Sequence, residues 1–289
     1  MTVAAADARL LQESEKRMRR AQGLSVGTWV ALGILGVILL MALIGPLLYR
    51  VDPNAVDLSA AYQGPTAAHP LGADGNGRDL LARIITGSRT ALIGPALVVL
   101  VSTVLGVILA LAAVWFGGWY DQLTVRVIDA IFAFPGLLLA ILATALFGAG
   151  LTAAVAALSI AYVPYIARIV RSAALRERTL PYVAALRVQG VRGLVISTRH
   201  ILPNVGGLIV ANATISFGFA LMDLAGLSFI GLGVQPPTPD WGAMVGTGMA
   251  GVLQGAPLEA LWASAVIVLV VASVNVLGDR LNERAEARA

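Results

Sequence analysis

A chain of 289 residues that is 58% hydrophobic and only 12% charged lies far outside the soluble mixture of about 45–50% apolar and about 25% charged residues, which excludes a soluble globular enzyme and makes it an integral membrane protein. It contains no cysteine, so disulfides, thiolate nucleophiles and zinc-thiolate sites are excluded. The formal net charge of +4 comes from basic residues set beside apolar runs, which is a topology signal and not a nucleic-acid footprint.

A membrane-crossing helix needs about 20 mostly apolar residues. Residues 1–26 are a cytoplasmic lead-in, mostly polar over 1–22, with "EKRMRR" ahead of the first apolar run at 27–49. That run exceeds the usual ~7–15 residues of a secretory signal and is followed by "LLYRVDPN" instead of small residues, so it is expected to stay as an anchor. No charge lies between Arg89 and Asp121, which predicts a second span near 91–116. From Val127 to Ala167 the only charge is Asp129, and "FGAG" at 147–150 cuts this stretch into spans near 127–147 and 151–171. Residues 206–231, interrupted by Asp223, and 260–278 supply the fifth and sixth, leaving a cytoplasmic tail at 281–289. The expectation is an all-α membrane protein whose six transmembrane helices lie within 27–280.

Arginine and lysine mark cytoplasmic flanks. With the N-terminus inside, only Arg50, Arg78, Arg83 and Arg89 fall outside, and the loop 232–259 has no basic residue at all. Both termini are therefore expected in the cytoplasm. Asp129 is three residues from Arg126, so a local ion pair on one helix face is predicted, with an interhelical or pathway-lining role as the alternative. Asp223 is read either as a structural polar contact or as a pathway residue. Arg168 and Arg171 are expected to snorkel toward headgroups, and Trp115 and Trp119 to form an aromatic belt.

Between the fourth and fifth spans lies "LPYVAALRVQGVRGLVISTRHILPN", residues 180–204. Tyr182, Val183 and Leu186 share one helical face; Leu194, Val195, Thr198, Ile201 and Leu202 recur at helical spacing in a second piece. Gly190 permits a sharp turn between them, and Pro203 with Asn204 suits the end of the segment. Such a helix-turn-helix could lie on lipid headgroups or in a groove of another protein.

The run "AAL" at 184–186, then Gly190, then "HILP" at 200–203 resembles the Glu-Ala-Ala loop of ABC-importer permeases, with Ala184 where Glu is usual, Leu186 replacing the second Ala and His200 at the Ile position. "HPLGADGNGRDLLARIITGSRTAL" at 69–92, "RVIDAIFAFPGLLLA" at 126–140 and "LSFIGLGVQPPTPDWGAMV" at 227–245 are similar to stretches of the dipeptide/oligopeptide/nickel branch, so the resemblance runs from about residue 27 to 280 and is nearest the C-type subunit. It implies a MetI-like type I importer permease in a bacterial plasma (inner) membrane, crossing it several times. Ala184, Ala185, Leu186, Arg187, Gly190, His200, Leu202 and Pro203 would then build the coupling helix that docks into an ATPase. The implied partners are a second homologous permease, two ABC ATPases and an extracytoplasmic binding protein, besides membrane lipid. Peptides are the implied cargo, with nickel complexes, glutathione-like peptides and other small solutes open.

No nucleotide site is expected in this chain. A Walker A loop needs G-x-x-x-x-G-K-[ST], whereas "GADGNGRD" lacks both Lys and hydroxyl and the only lysine is Lys16. ATP and magnesium would sit on the partner ATPases, and no cofactor or metal on this chain. An intramembrane enzyme would require a catalytic cluster, yet the two histidines, His69 and His200, are far apart in sequence. A secondary transporter or channel would show duplicated spans and working ionisable groups at the midplane. The outer loops 50–89 and 232–259 are long enough to receive a binding protein, with Asp240 and Trp241 as expected contact residues.

Overall fold

The structure, a computed structural model, describes residues 25–287, and its regular elements are helices. Helix α1 runs over Val26–Leu48, and the Ser25 hydroxyl caps it by accepting from the Thr28 amide at 3.3 Å. A long connection with one 3₁₀ turn, Leu58–Ala60, leads to α2, Leu80–Phe116. Asp79 caps α2 through the Ala82 amide at 2.7 Å, so the helix starts well before the apolar run that begins near residue 91. Its first turns are buried on most sides, with Leu80, Ala82, Arg83, Ile84, Ile85, Gly87 and Ser88 all inside the protein.

The run expected as one span at 127–147 is broken. Helix α3, Gly118–Phe132, and α4, Gly136–Phe147, meet at 77°. Pro135 is the cause: it offers no N–H to continue α3, and its ring disfavours helical backbone at Phe134 before it. Helix α5 spans Leu151–Arg178, α6 Pro181–Val188 and α7 Gly193–Phe229, the last with a π turn at Ser197–Ile201. The loop after α7 holds a further short apolar helix, α8, Trp241–Leu253, and α9 covers Leu258–Glu286. Among the described residues five helices are long and apolar enough to cross a membrane, or six if the bent α3–α4 pair counts as one span.

Helices in lipid associate through close packing, because hydrocarbon offers no hydrophobic drive for one apolar face to leave it. Small residues make that packing feasible here. A β-carbon on Gly106 would lie 2.9 Å from Ile166, which puts α2 directly on α5, and one on Gly278 would lie 2.5 Å from Ile215, which does the same for α9 and α7. Val98, Ala140, Leu158 and Leu227 form the core where α2, α4, α5 and α7 meet. Ile38, Ala91, Leu221 and Val270 form a second core between α1, α2, α7 and α9.

The bundle thus has two ends. Gly45 of α1 packs on Ile85 near the start of α2, at what we call the cap, while Gly207 near the start of α7 faces Ala285 of α9 at the base. The described chain both begins and ends at the base, the same end that carries α6.

Candidate functional site

At the base, α6 and the first turns of α7 fold back on the ends of α2 and α5. Val183, Ile196 and Ile201 are fully buried with Val114 and Ala174, and Tyr182, Leu186 and Trp115 pack around them. Leu186 is therefore an anchor. Gly190 turns the chain at φ +76°, a left-handed conformation suited to glycine, with its amide donating to the Arg187 carbonyl at 3.0 Å. Three residues on, Gly193 lies against Trp115 so closely that a β-carbon would sit 1.5 Å from the indole Cζ2.

Trp115 is thus not the lipid-belt residue that its position suggested. It forms the floor under the loop, with the guanidinium groups of Arg178 and Arg187 at 5.7 and 5.4 Å from its ring centre. Arg178 also donates to the Val114 carbonyl, one of the acceptors that the end of α2 leaves open. Trp119 is exposed, at 74%.

The opposite face of the segment is open. Ala184, Ala185, Arg187, Val188 and Gly190 are exposed, and Val188 and Leu194 reach 89% and 74% exposure. The place that a Glu occupies in the resembling loop is a surface methyl here, so no ionic contact can come from Ala184. His200 and Leu202 are half-buried and Pro203 is exposed. The π turn before Pro203 has a local reason: Pro203 cannot donate a helical hydrogen bond and its ring crowds the carbonyl four residues back, and the wider turn is closed by the Leu202 amide on the Ser197 carbonyl.

Glu177 was not singled out from sequence, and it holds this segment together. The Tyr182 hydroxyl donates to Glu177 Oε1 at 2.8 Å, and the Asn204 amide donates to the same oxygen at 2.5 Å and to Tyr182 Oη at 3.2 Å. Three helices meet at one carboxylate. Partial burial, then the Glu177 hydrogen bond and charge, push the Tyr182 hydroxyl up to about 12, so it stays a donor at any physiological pH. The residues lie 5 and 27 positions from Glu177, and no periodicity links them.

Two arginines expected to reach for headgroups cross-link helices instead. Arg171 holds Asp121 with two hydrogen bonds of 2.6 Å, and Arg168 donates to Asp129 Oδ1 at 2.7 Å while covering the Phe132 ring at 4.6 Å. Asp129 therefore pairs with Arg168 of α5, not with Arg126 one turn earlier. Arg171 grips both oxygens of Asp121, the two-pronged fit that a planar guanidinium favours, whereas Arg168 makes a single bond to Asp129. Asp223 accepts from the Tyr162 hydroxyl at 2.8 Å, which joins α7 to α5.

At the cap, the stretches 69–92 and 227–245 prove to be one substructure. The Trp241 indole donates to the Ile84 carbonyl at 3.0 Å, Thr90 Oγ1 donates to the Pro239 carbonyl at 2.9 Å, and a β-carbon on Gly87 would lie 3.3 Å from the Asp240 amide. Trp241 has no exposed surface, and the buried Asp240 caps α8 through the Ala243 amide at 3.0 Å. Burial raises the Asp240 carboxyl despite its hydrogen bonds. Both residues are buried within this chain, so neither side chain presents the free surface that the outer-loop reading expected; an aromatic in a proline-rich loop is equally suited to fill the gap between a loop and a helix end.

These features define a multi-pass membrane protein, with packed apolar helices and a helical loop fastened to one end of the bundle. Residues 102–289 match the binding-protein-dependent transport system inner membrane component family, and residues 27–65 match the N-terminal transmembrane domain of oligopeptide transport permease C. The chain belongs to this family, in its dipeptide/oligopeptide branch, and is an inner-membrane permease subunit of an ABC importer. It is 39% identical to the glutathione transport system permease protein GsiD of Pectobacterium atrosepticum over 80% of this chain and 76% of that one. A dipeptide transport system permease protein, DppC, of Alkalihalophilus pseudofirmus is 37% identical over 88% and 83%, and a putative peptide transport system permease protein of Brucella suis is 35% identical over 94% and 90%.

Proposed function

We propose that this subunit, paired with a second homologous permease, forms the path by which peptides delivered by an extracytoplasmic binding protein enter the cell, driven by two ABC ATPases that carry the ATP and magnesium. This chain is the non-catalytic membrane part. The base faces the cytoplasm in this reading, as the arginine asymmetry favours, and the cap faces the binding protein.

One observation carries the proposal: α6 is fastened to the ends of α2, α5 and α7 by a buried apolar cluster and by Glu177, while Val188 and Leu194 project from the other side. A segment so held moves with the helices it is anchored to. Closure of an ATPase pair around that free face would be transmitted as a rigid displacement, and the helices would change the side to which the cavity opens. Peptide cargo is favoured by the names of the relatives; glutathione-like peptides, nickel complexes and other small solutes are the alternatives.

The test is to co-express the chain with candidate permease and ATPase partners, purify through this subunit and measure ATP-dependent uptake in lipid vesicles. Co-purification with peptide uptake supports the whole reading. Assembly with uptake of another solute rejects the cargo, and failure of the ATPases to associate rejects the importer role for this segment.

A further inference from the structure

Asp223 is a carboxylate in an apolar environment with no cation of its own. It lies six residues before the end of α7 at Phe229, about 9 Å along the helix, and the adjoining Leu224 packs on Gly94 within α2. None of the ion pairs among the described residues includes it, and its hydrogen bond is the one from Tyr162, to Oδ2. It is not sealed in the core either. Asp223 and Tyr162 are both partly exposed, their neighbours Phe219 and Met222 are 55% and 54% exposed, and a β-carbon on Gly226, one turn on, would meet nothing within 4 Å.

A half-exposed, cation-free carboxylate is not a lipid-facing group, because hydrocarbon neither solvates nor pairs it. The same seam between α5 and α7 carries a second polar contact, the Tyr165 hydroxyl on Asn212 Oδ1 at 3.2 Å. Asn212 is eleven residues from Asp223, so the two contacts are about 16 Å apart along α7. Asn212 is buried whereas Tyr165, Phe219 and Met222 are exposed, so the edge of this seam that runs from Tyr165 to Asp223 is the part that water can reach.

From this geometry we infer that the α5–α7 seam lines the translocation path and that Asp223, oriented by Tyr162, is a cation site in it that takes the ammonium group of the cargo. This rests on the importer reading above, since peptides carry that group. Tyr162 fixes one carboxylate oxygen and leaves the other for the ligand, and Phe219 one turn away adds an aromatic face of the kind that attracts ammonium. The group crosses this point by exchanging water for a carboxylate and back again.

The chain has no cysteine, so a single introduced thiol reports one place. Gly226→Cys would be labelled, in the assembled complex in lipid vesicles, with two methanethiosulfonate reagents of similar size, one ending in an ammonium and the other in a sulfonate. With each rate divided by that reagent's rate on a free small thiol, the expected result is labelling by both, with the ammonium reagent preferred by roughly tenfold, the low end of what focused charge does to local ion concentration. In an Asp223→Asn background the preference should vanish, and Asp223→Glu should restore it. Met222→Cys is the second reporter if Gly226→Cys does not assemble. No labelling at either position in any nucleotide state means that lipid or the partner permease covers the seam, which overturns the proposal; labelling without charge preference overturns the cation site. The importer reading is judged separately, by binding-protein-stimulated ATP hydrolysis of the unlabelled parent complex.

Discussion

The Trp115 indole lies directly against Gly193, with no room between them for a methyl group. This contact joins the end of α2 to the start of α7 at the point where the segment 180–204 turns back into the bundle. Adding the methyl by Gly193→Ala should destabilise the subunit by about 1–3 kcal/mol, as overpacking does, and should lower uptake per ATP hydrolysed. Trp115→Ala in the same chain should recover much of the loss, a coupling visible in a double-mutant cycle of thermal stability in detergent. Additive effects would show that the two residues do not act through each other.

Gly190 has a different requirement. Its φ of +76° costs a residue with a side chain about 1–2 kcal/mol, while proline cannot adopt it and would also lose the amide bond to Arg187. Gly190→Ala should reduce uptake modestly, and Gly190→Pro should abolish it while insertion and assembly persist. Normal uptake by the proline variant, measured in vesicles against ATP hydrolysis, would overturn the rigid transmission proposed for this segment.

Glu177 accepts from both Tyr182 and Asn204, and hydrogen bonds to a charged group contribute about 1.5–3 kcal/mol each where they are shielded from water. Glu177 is only partly buried, so the lower end applies. Glu177→Ala should raise the ATP consumed per molecule imported, Glu177→Gln less so, and Tyr182→Phe less again. An unchanged ratio in all three would make the junction ornamental to coupling.

The pH behaviour of that junction has a definite sign. Tyr182 is raised from 10.0 to about 12 in the folded chain, so its contribution is fully present below the unfolded value and is lost only as pH rises through the folded one. A difference titration of phenolate absorbance between the parent and Tyr182→Phe should show one late-ionising tyrosine, and stability across neutral pH should be the same in both slopes. Ionisation at the ordinary value would mean that the hydroxyl is not held by Glu177.

Trp241 separates a structural role from a docking role. Truncating a fully buried tryptophan costs about 3–5 kcal/mol, so Trp241→Ala should lower the melting temperature and the yield of folded subunit, with its indole bond to Ile84 lost. Asp240→Ala, which removes a helix cap, should cost about 1 kcal/mol, and Asp240→Asn much less. A Trp241→Ala subunit of parental stability that fails only to respond to the binding protein would return this residue to the docking surface.

The membrane class, the apolar runs and the bend at Gly190 are legible in the sequence by itself, since they follow from local properties: about 20 apolar residues are enough to cross hydrocarbon, and only glycine readily takes the left-handed turn. The break at Pro135 is local too, and was hidden because the apolar run continues through it. Tertiary structure alone decided which charges and rings face each other. Asp129 found Arg168 across two helices although Arg126 was nearer in sequence, Trp115 turned under the segment that follows α6, Trp241 closed the cap, and Glu177 gathered Tyr182 and Asn204. Hydropathy and periodicity report whether a face is apolar, whereas a hydrogen bond or ring contact depends on the rotation and height at which two helices pack, and those are set by the whole bundle.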